Sequence, residues 1–166
     1  MTKIFDYALD MERQGEEFYR KMGEQTANKG LQKVCNRLAD EEAKHFAWVE
    51  AMRARAIPEV EGGTFHKDVK TIFESLDPKE EAGKLQGQNE QIALYKKALE
   101  LEKKSRDFYR RKKKEASTVQ AEQLLERLAR EEETHAKILE SIIEFVSKPQ
   151  PGNWLENAEW YHHDKY

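Results

Sequence analysis

Two stretches of this sequence read almost alike: residues 38–45 are LADEEAKH, and residues 128–135 are LAREEETH. Each contains a glutamate followed three residues later by a histidine. A second matching pair lies upstream, ALDMERQGEEFY at residues 8–19 and ALELEKKSRDFY at residues 98–109. Both pairs are offset by 90 residues, so the chain repeats one unit of two segments. In each copy a single glutamate precedes the Glu-x-x-His motif by 30 residues.

The apolar residues around these motifs recur at alternating intervals of four and three, which is typical of the buried face of an α-helix. The glutamate and histidine of each motif fall inside such a stripe. The two stripes are Leu31, Cys35, Leu38, Glu42, His45, Val49 and Met52, and Ala121, Leu125, Leu128, Glu132, His135, Leu139 and Ile142. Glu12 and Glu102 fall on the inward lines of the helices that precede them. Other glutamates lie off these lines or at their edge, and we expect them to face solvent: Glu16, Glu17, Glu41, Glu100, Glu131 and Glu133.

The connections between the predicted helices indicate the topology. Four long helices are predicted, over about residues 2–27, 31–56, 88–115 and 118–148. Ser117, with Gln120 three residues later, resembles a capping box at the start of the fourth helix. The turns inside each pair are tight, so each pair forms an antiparallel hairpin. The sequence therefore predicts an all-α fold, a ferritin-like four-helix bundle made of two hairpins joined by a long crossover.

One domain is expected from residue 1 to residue 148, with the crossover at residues 57–86. Val69, Ile72, Phe73 and Leu76 in the crossover have the spacing of a short amphipathic helix. Residues 149–166 form a C-terminal tail rich in aromatic residues, which we expect to pack on the bundle or on a dimer partner.

Composition excludes several classes of protein. The net charge of −3 gives no general attraction to nucleic acid or to an anionic membrane. No apolar run approaches the roughly 20 residues that a membrane span requires. The single cysteine, Cys35, excludes an internal disulfide and a CxxC metal site, and we expect it to pack as a small apolar residue. With no signal-peptide core at the N-terminus, a cytoplasmic protein is expected.

The inward glutamates and histidines predict a metal site, because four carboxylates and two imidazoles would meet in the middle of the bundle. Burying one unpaired carboxylate costs several kcal/mol. Two divalent metal ions would balance the four negative charges. Oxygen donors with one imidazole per ion favour iron or manganese over a structural zinc. The expected metal ligands, which are also the expected catalytic residues, are Glu12, Glu42, His45, Glu102, Glu132 and His135.

At these residues, and over about residues 4–147, the sequence resembles the rubrerythrin-like branch of the ferritin-like superfamily. The resemblance implies Glu12 and Glu102 as terminal ligands, Glu42 and Glu132 as bridging ligands, and one histidine for each iron. It also implies the reduction of peroxide or dioxygen, or the oxidation of ferrous iron.

Two departures from the family pattern affect what the resemblance implies. Full-length rubrerythrins carry a rubredoxin domain with four cysteines, whereas this chain has only Cys35, so electrons would come from another protein. The better-known rubrerythrins also carry an extra ligand glutamate one turn after the third-helix glutamate, and here that position is Ser105.

The main functional hypothesis is a non-haem di-iron oxidoreductase that reduces hydrogen peroxide or dioxygen with electrons from an external donor protein. Its cofactor would be two iron ions, for which manganese or zinc could substitute, and a homodimer is expected. The alternatives are a ferroxidase or iron-handling protein, and a bundle that metal stabilises without catalysis. Tyr19 and Tyr109 are expected either to donate hydrogen bonds to ligand carboxylates or to serve as core residues. Gly15 and Ser105 leave room for substrate or, the interpretation we favour, let helices approach closely.

Overall fold

The computed structural model describes residues 2–56, 64–76 and 88–147, and within these ranges it contains five helices and no strand. The helices are α1 (Thr2–Gln25), α2 (Lys29–Arg53), α3 (Phe65–Glu74), α4 (Gln88–Lys114) and α5 (Val119–Ser147). The prediction of an all-α fold is confirmed, and the long helices end within a few residues of their predicted bounds. The tail at residues 149–166 lies outside the described residues.

The four long helices pair as two antiparallel hairpins, and ion pairs show their direction. In the first hairpin Asp6 near the start of α1 pairs with Arg53 at the end of α2, at 3.3 Å. Farther along, Arg20 of α1 pairs with Asp40 of α2 at 2.7 Å. The same pattern joins α4 to α5 through Lys103 and Glu140, Arg106 and Glu133, and Lys113 and Glu126.

The two hairpins pack side by side, with α1 against α4 and α2 against α5. The rings of Tyr7 and Phe108 lie 5.1 Å apart near one end of the α1–α4 contact. The hydroxyls of Thr26 and Tyr95 lie 3.0 Å apart near the other end. These contacts make α1 and α4 antiparallel, and they complete the four-helix bundle of the ferritin-like arrangement.

A short polar residue caps the start of the second helix in each hairpin. The side chain of Asn28 accepts a hydrogen bond from the backbone N–H of Leu31 at 3.0 Å, which caps α2. The hydroxyl of Thr118 accepts one from the backbone N–H of Ala121 at 3.1 Å at the start of α5. The predicted cap at Ser117 is therefore wrong by one residue, because α5 begins at Val119 and the N–H of Ala121 bonds to Thr118.

The crossover between the hairpins contains α3, as predicted from its apolar spacing. The helix packs against α2, and Phe65, Val69 and Phe73 are buried in the core. Residues 57–63 and 77–87 of the crossover lie outside the described residues.

The buried apolar side chains form two clusters, one on each side of a polar layer. The larger cluster includes Tyr19, Leu31, Leu38, Val69, Phe73 and Ile142, and the smaller one includes Leu9, Val49, Phe108, Leu125 and Leu128. Each fully buried side chain of this size contributes about 1.5–3 kcal/mol to folding. Cys35 lies in the larger cluster as predicted, and burial raises the pKa of its thiol to about 12. Among the described helices, none is long and apolar enough to cross a bilayer.

Candidate metal centre

The polar layer between the apolar clusters contains all six residues that the sequence pattern singled out. One glutamate comes from α1 and one from α4, and a glutamate–histidine pair comes from each of α2 and α5. Because three residues make most of a helical turn, the members of each pair lie on the same face. All six side chains are at most 4% exposed: Glu12, Glu42, His45, Glu102, Glu132 and His135.

These six residues form two overlapping groups of possible metal ligands. The first group is Glu12, Glu42, His45 and Glu132, and the second is Glu42, Glu102, Glu132 and His135. Within each group, one donor atom per residue lies within 4.8 Å of all the others. Two glutamates belong to both groups, which is the arrangement needed to hold two neighbouring ions with shared carboxylates.

Both imidazoles turn their Nδ1 atoms towards the carboxylates. His45 Nδ1 lies 3.2 Å from Oε1 of Glu132 and 3.6 Å from Oε2 of Glu12. His135 Nδ1 lies 3.2 Å from Oε1 of Glu42 and 3.4 Å from Oε1 of Glu102. The two rings are stacked, with centroids 5.5 Å apart. Nδ1 is therefore the nitrogen that each ring offers to an ion.

Burial, the neighbouring carboxylates and the two histidines together control the charges of the four central carboxylates. Burial and the neighbouring glutamates raise the pKa of Glu42 and Glu132 well above the usual range. Burial alone would also raise the pKa of Glu102, but the charge on His135 and several hydrogen bonds lower it to about 2. The pKa of His135 rises to about 10, because Glu102 outweighs the effect of burial. Without ions the centre approaches neutrality by taking up protons, so protons and divalent ions compete for the same atoms.

The donor set fits two divalent ions. Oε2 of Glu12 and Oε2 of Glu132 are buried with no hydrogen-bond donor among the described residues. A buried polar atom without a partner costs about 1–3 kcal/mol, and a cation between the carboxylates would remove that cost. The ion pairs of the four carboxylates within the described chain are with the two histidines.

Two tyrosines orient the glutamates that belong to only one group. The hydroxyl of Tyr19 on α1 donates to Oε1 of Glu102 on α4, and the hydroxyl of Tyr109 on α4 donates to Oε1 of Glu12 on α1. Burial and the nearby carboxylates raise the pKa of both phenols, so both keep their protons. Of the two interpretations left open for these tyrosines, donation to the carboxylates is the one that the structure confirms.

A small cleft between α1 and α4 reaches the centre. Glu42 and Glu102 line its inner end, and Gly15 and Ser105 lie beside them. Apolar walls come from Met11, Phe18, Leu101 and other residues. The cleft has room for only a few water-sized molecules. The small residues at positions 15 and 105 therefore leave space beside the carboxylates. The favoured interpretation, that they let helices approach closely, stays a prediction.

The prediction that the remaining glutamates face solvent is only partly right. Glu17 and Glu100 are exposed, but Glu41 and Glu131 are each only 6% exposed. They are buried because α2 and α5 pack together beside the stripe and because cations lie next to both side chains: Glu41 pairs with Lys44, and Glu131 pairs with Lys44 and Arg127. A basic residue does lie three or four positions from each of these glutamates, but the same spacing is typical of exposed ion pairs on a helix and does not by itself predict burial.

A sequence model of one protein family, described as Rubrerythrin, matches residues 3–143. No curated protein and no solved structure matches the chain significantly. The matched residues include nearly all of both hairpins and all six candidate ligands. The chain therefore belongs to the rubrerythrin family.

Proposed function

We propose that this protein is a non-haem di-iron oxidoreductase that reduces hydrogen peroxide or dioxygen with electrons from an external donor protein. The observation that carries the proposal is the pair of overlapping donor groups that share Glu42 and Glu132. Two ions that share carboxylates lie close enough to act together on one small substrate. Membership of the rubrerythrin family supports a di-iron carboxylate protein.

In this proposal the six donors divide between two ion positions. Glu42 and Glu132 would hold both ions, Glu12 and His45 would complete one position, and Glu102 and His135 would complete the other. Carboxylate oxygens with one imidazole per ion suit iron or manganese. With two ferrous ions bound, this site would supply the two electrons that, together with two protons, convert one hydrogen peroxide molecule into two water molecules.

The cleft between α1 and α4 is the proposed entry for the oxidant. Its small volume and apolar walls admit a molecule of the size of peroxide or dioxygen and exclude larger organic substrates. Tyr19 also lines this cleft while it donates to Glu102, so it holds that carboxylate in one orientation beside the entering molecule. The apolar walls keep bulk water away from the reacting atoms.

Ferroxidation is the second candidate function, and the polar inner end of the cleft supports it. Glu42 and Glu102 present carboxylates to the same opening, and carboxylates attract a ferrous ion as a substrate. The same six donors would serve either reaction. The two functions differ in what is consumed: a peroxidase consumes peroxide and an external reductant, whereas a ferroxidase consumes many ferrous ions per chain.

The experiment that tests the proposal begins with ion-free protein loaded anaerobically with two Fe²⁺ per chain. Hydrogen peroxide or air-saturated buffer is then added, and near-ultraviolet absorption of the ferric product is followed by stopped flow. We expect a fast reaction with one equivalent of peroxide and repeated turnover when a reductant is present. The proposal would be overturned if the wild-type protein binds no iron. It would also be overturned if the bound iron stays ferrous after peroxide or dioxygen is added.

Matched variants link the reaction to the donors. Glu132→Gln removes one shared carboxylate, whereas Glu100→Gln changes an exposed glutamate on α4. The first is expected to abolish the fast reaction and the second to preserve it. Continued oxidation of a large excess of Fe²⁺, without consumption of reductant, would favour ferroxidation. We also propose a homodimer, which the mass of the native protein in solution tests.

A further inference from the structure

A second layer of carboxylates lies outside the candidate metal centre, between α2 and α5. These outer carboxylates are Glu41 and Glu131, and both are nearly buried. Oε1 of Glu131 lies 3.6 Å from Nε2 of His45, the ring nitrogen that faces away from the ion positions. An oxygen of Glu41 and one ring nitrogen from each of His45 and His135 lie within 4.8 Å of one another. Glu131 therefore lies behind His45, and Glu41 lies close to one ring nitrogen of each histidine. Nε2 of each histidine is buried with no hydrogen-bond partner among the described residues.

One ammonium group connects the two outer carboxylates. Nζ of Lys44 lies 3.0 Å from Oε1 of Glu131, across the contact between α2 and α5. The same atom forms an ion pair with Oε2 of Glu41, one turn earlier on its own helix. It also lies 4.8 Å from the centre of the Trp48 ring, which restricts where the side chain can go.

The 90-residue repeat is broken at this lysine. The position that corresponds to Lys44 in the second copy is Thr134, whose hydroxyl donates to the backbone carbonyl of Arg130 at 3.1 Å. One copy therefore supplies a cation that serves both copies. The six inner donors are the same in both copies, so this lysine is a point at which the two copies have diverged.

A second cation also differs between the copies, and here it is the second copy in which the cation pairs with the outer carboxylate. Arg127 pairs with Glu131 at 3.0 Å. The corresponding residue in the first copy, Arg37, instead pairs with Asp68 of α3, also at 3.0 Å. Glu131 therefore has two cationic partners, whereas the ion pair shown for Glu41 is with Lys44.

The outer layer also contrasts with the inner one in how its charge is balanced. Glu41, His45 and His135 could be taken as a third group of metal ligands. The ammonium of Lys44 already lies against Glu41, so a further cation there would be repelled. The outer carboxylates have protein cations as partners, whereas the inner carboxylates have histidines.

We propose that Lys44 is a positioning residue for both ion positions: it holds Glu41 and Glu131 behind the ligand histidines and so keeps each ring turned with Nδ1 towards the ions. The inference rests on the proposed metal pair. A carboxylate behind a ligand histidine fixes its tautomer and ring orientation, and loss of such a partner typically lowers metal affinity about 10–100-fold. Because Lys44 contacts both outer carboxylates, its loss affects both ions.

Anaerobic Co²⁺ titration of the ion-free protein tests this role, because visible absorption of Co²⁺ reports both affinity and coordination. Lys44→Met is expected to weaken binding at both positions about tenfold and to change the spectrum. Lys44→Arg, which keeps a cation at the same place, is expected to restore both affinities to within about threefold. Lys44→Gln is titrated in parallel and is expected to behave like Lys44→Met.

Two further variants act as controls. Lys113→Met removes a lysine of similar exposure that pairs with Glu126 at 2.8 Å, away from the centre, and it is expected to leave the titration unchanged. Arg127→Met removes a cation that pairs with Glu131, so it is expected to weaken one ion position more than the other.

The outcomes separate this inference from the proposed function. Wild-type protein that does not bind two Co²⁺ per chain overturns both. If the wild-type protein binds two ions and the Lys44 variants give the same titration, only the positioning role is overturned. A lower melting temperature of ion-free Lys44→Met, with unchanged Co²⁺ affinity and spectrum, shows a merely structural role and also overturns it.

Discussion

Tyr109 of α4 donates a hydrogen bond from its hydroxyl to Oε1 of Glu12 on α1, across the contact between the two hairpins. Each side chain is only 1% exposed. Burial and the charge of Glu12 raise the pKa of the phenol, so Tyr109 stays protonated and remains the donor. The bond fixes one oxygen of Glu12 and leaves Oε2, which has no donor among the described residues, available to an ion.

Replacement of this tyrosine tests the relationship. Tyr109→Phe is expected to lower the free energy of unfolding by about 1–3 kcal/mol, because a buried carboxylate oxygen loses its donor. Fe²⁺ affinity at one position is expected to fall about tenfold, because Glu12 is no longer oriented. Urea unfolding and anaerobic Fe²⁺ titration measure the two effects. Tyr95→Phe is the control, since Tyr95 is buried on the same helix and its hydroxyl contacts Thr26. Equal losses of iron affinity in both variants would contradict the prediction.

Glu42 is expected to oppose folding when no ion is present. Its pKa is raised by burial and by the other carboxylates, so the folded chain keeps a proton there at a pH where the unfolded chain has released it. Glu42→Gln needs no proton to be neutral, and the ion-free variant is expected to melt a few degrees higher than the ion-free wild type.

With Co²⁺ bound, the order should reverse, because Glu42→Gln removes one of the shared carboxylates. Thermal unfolding with Co²⁺ and with a chelator makes the comparison, and Glu17→Gln on the exposed face of α1 is the control. An ion-free Glu42→Gln variant that melts well below the wild type would show that the ionised carboxylate stabilises the fold instead.

The sequence predicted the six inner donors because two regularities coincide at them. Helical periodicity puts Glu42 and His45 inside an apolar stripe, and the repeat puts Glu132 and His135 at the same place in a second stripe. A buried charge is costly, so a stripe that keeps charged residues in both copies indicates a compensating partner. The structure brings the donors together, and their role as metal ligands stays a prediction.

The outer residues were not predictable by the same reasoning. Glu41 and Glu131 lie next to their stripes, where burial depends on how closely α2 and α5 approach and on which cation lies across the contact. Neither property is local to one helix. The cap at Thr118 shows the same limit on a smaller scale, because Ser117 and Thr118 both carry a hydroxyl and the start of α5 at Val119 makes Thr118 the cap.

Without ions, the stability of the fold is expected to fall as pH rises above about 4.5. Glu42 and Glu132 have raised pKa values, and so do His45 and, at about 10, His135. Each holds a proton in the folded chain at a pH where the unfolded chain has lost it, so unfolding becomes easier as pH rises. Glu102 has the opposite sign, since its pKa is about 2 and its contribution is lost only as pH falls towards that value. Melting temperatures in a chelator from pH 4 to pH 9 check the trend, and a steady rise between pH 6 and pH 9 would contradict it.

Binding of two divalent ions is expected to release about four protons per chain near neutral pH. Two come from the carboxylates with raised pKa values, Glu42 and Glu132, and two come from the imidazoles of His45 and His135. Metal affinity should therefore rise with pH, opposite to the stability of the ion-free protein. Indicator absorbance during Zn²⁺ addition in weakly buffered solution counts the protons. Release of fewer than about two would mean that the donors are already deprotonated.

Gly15 tests whether the cleft is the path of the oxidant. A Cβ at this position would lie 3.3 Å from Cδ and Oε2 of Glu42, so Gly15→Ala narrows the inner end of the cleft and displaces the carboxylate. The reaction of iron-loaded protein with peroxide is expected to slow about tenfold or more, because small displacements of reacting groups have large effects on rate.

Gly23→Ala is the control: Gly23 is buried on the same helix, and its added Cβ meets Asn36 and Cys35 at 3.4 Å, away from the cleft. The same replacement there adds helix propensity worth up to about 1 kcal/mol and should leave the rate unchanged. Stopped-flow rates for both variants are measured at equal iron content. A Gly15→Ala rate equal to that of the wild type would mean that the oxidant reaches the centre by another route.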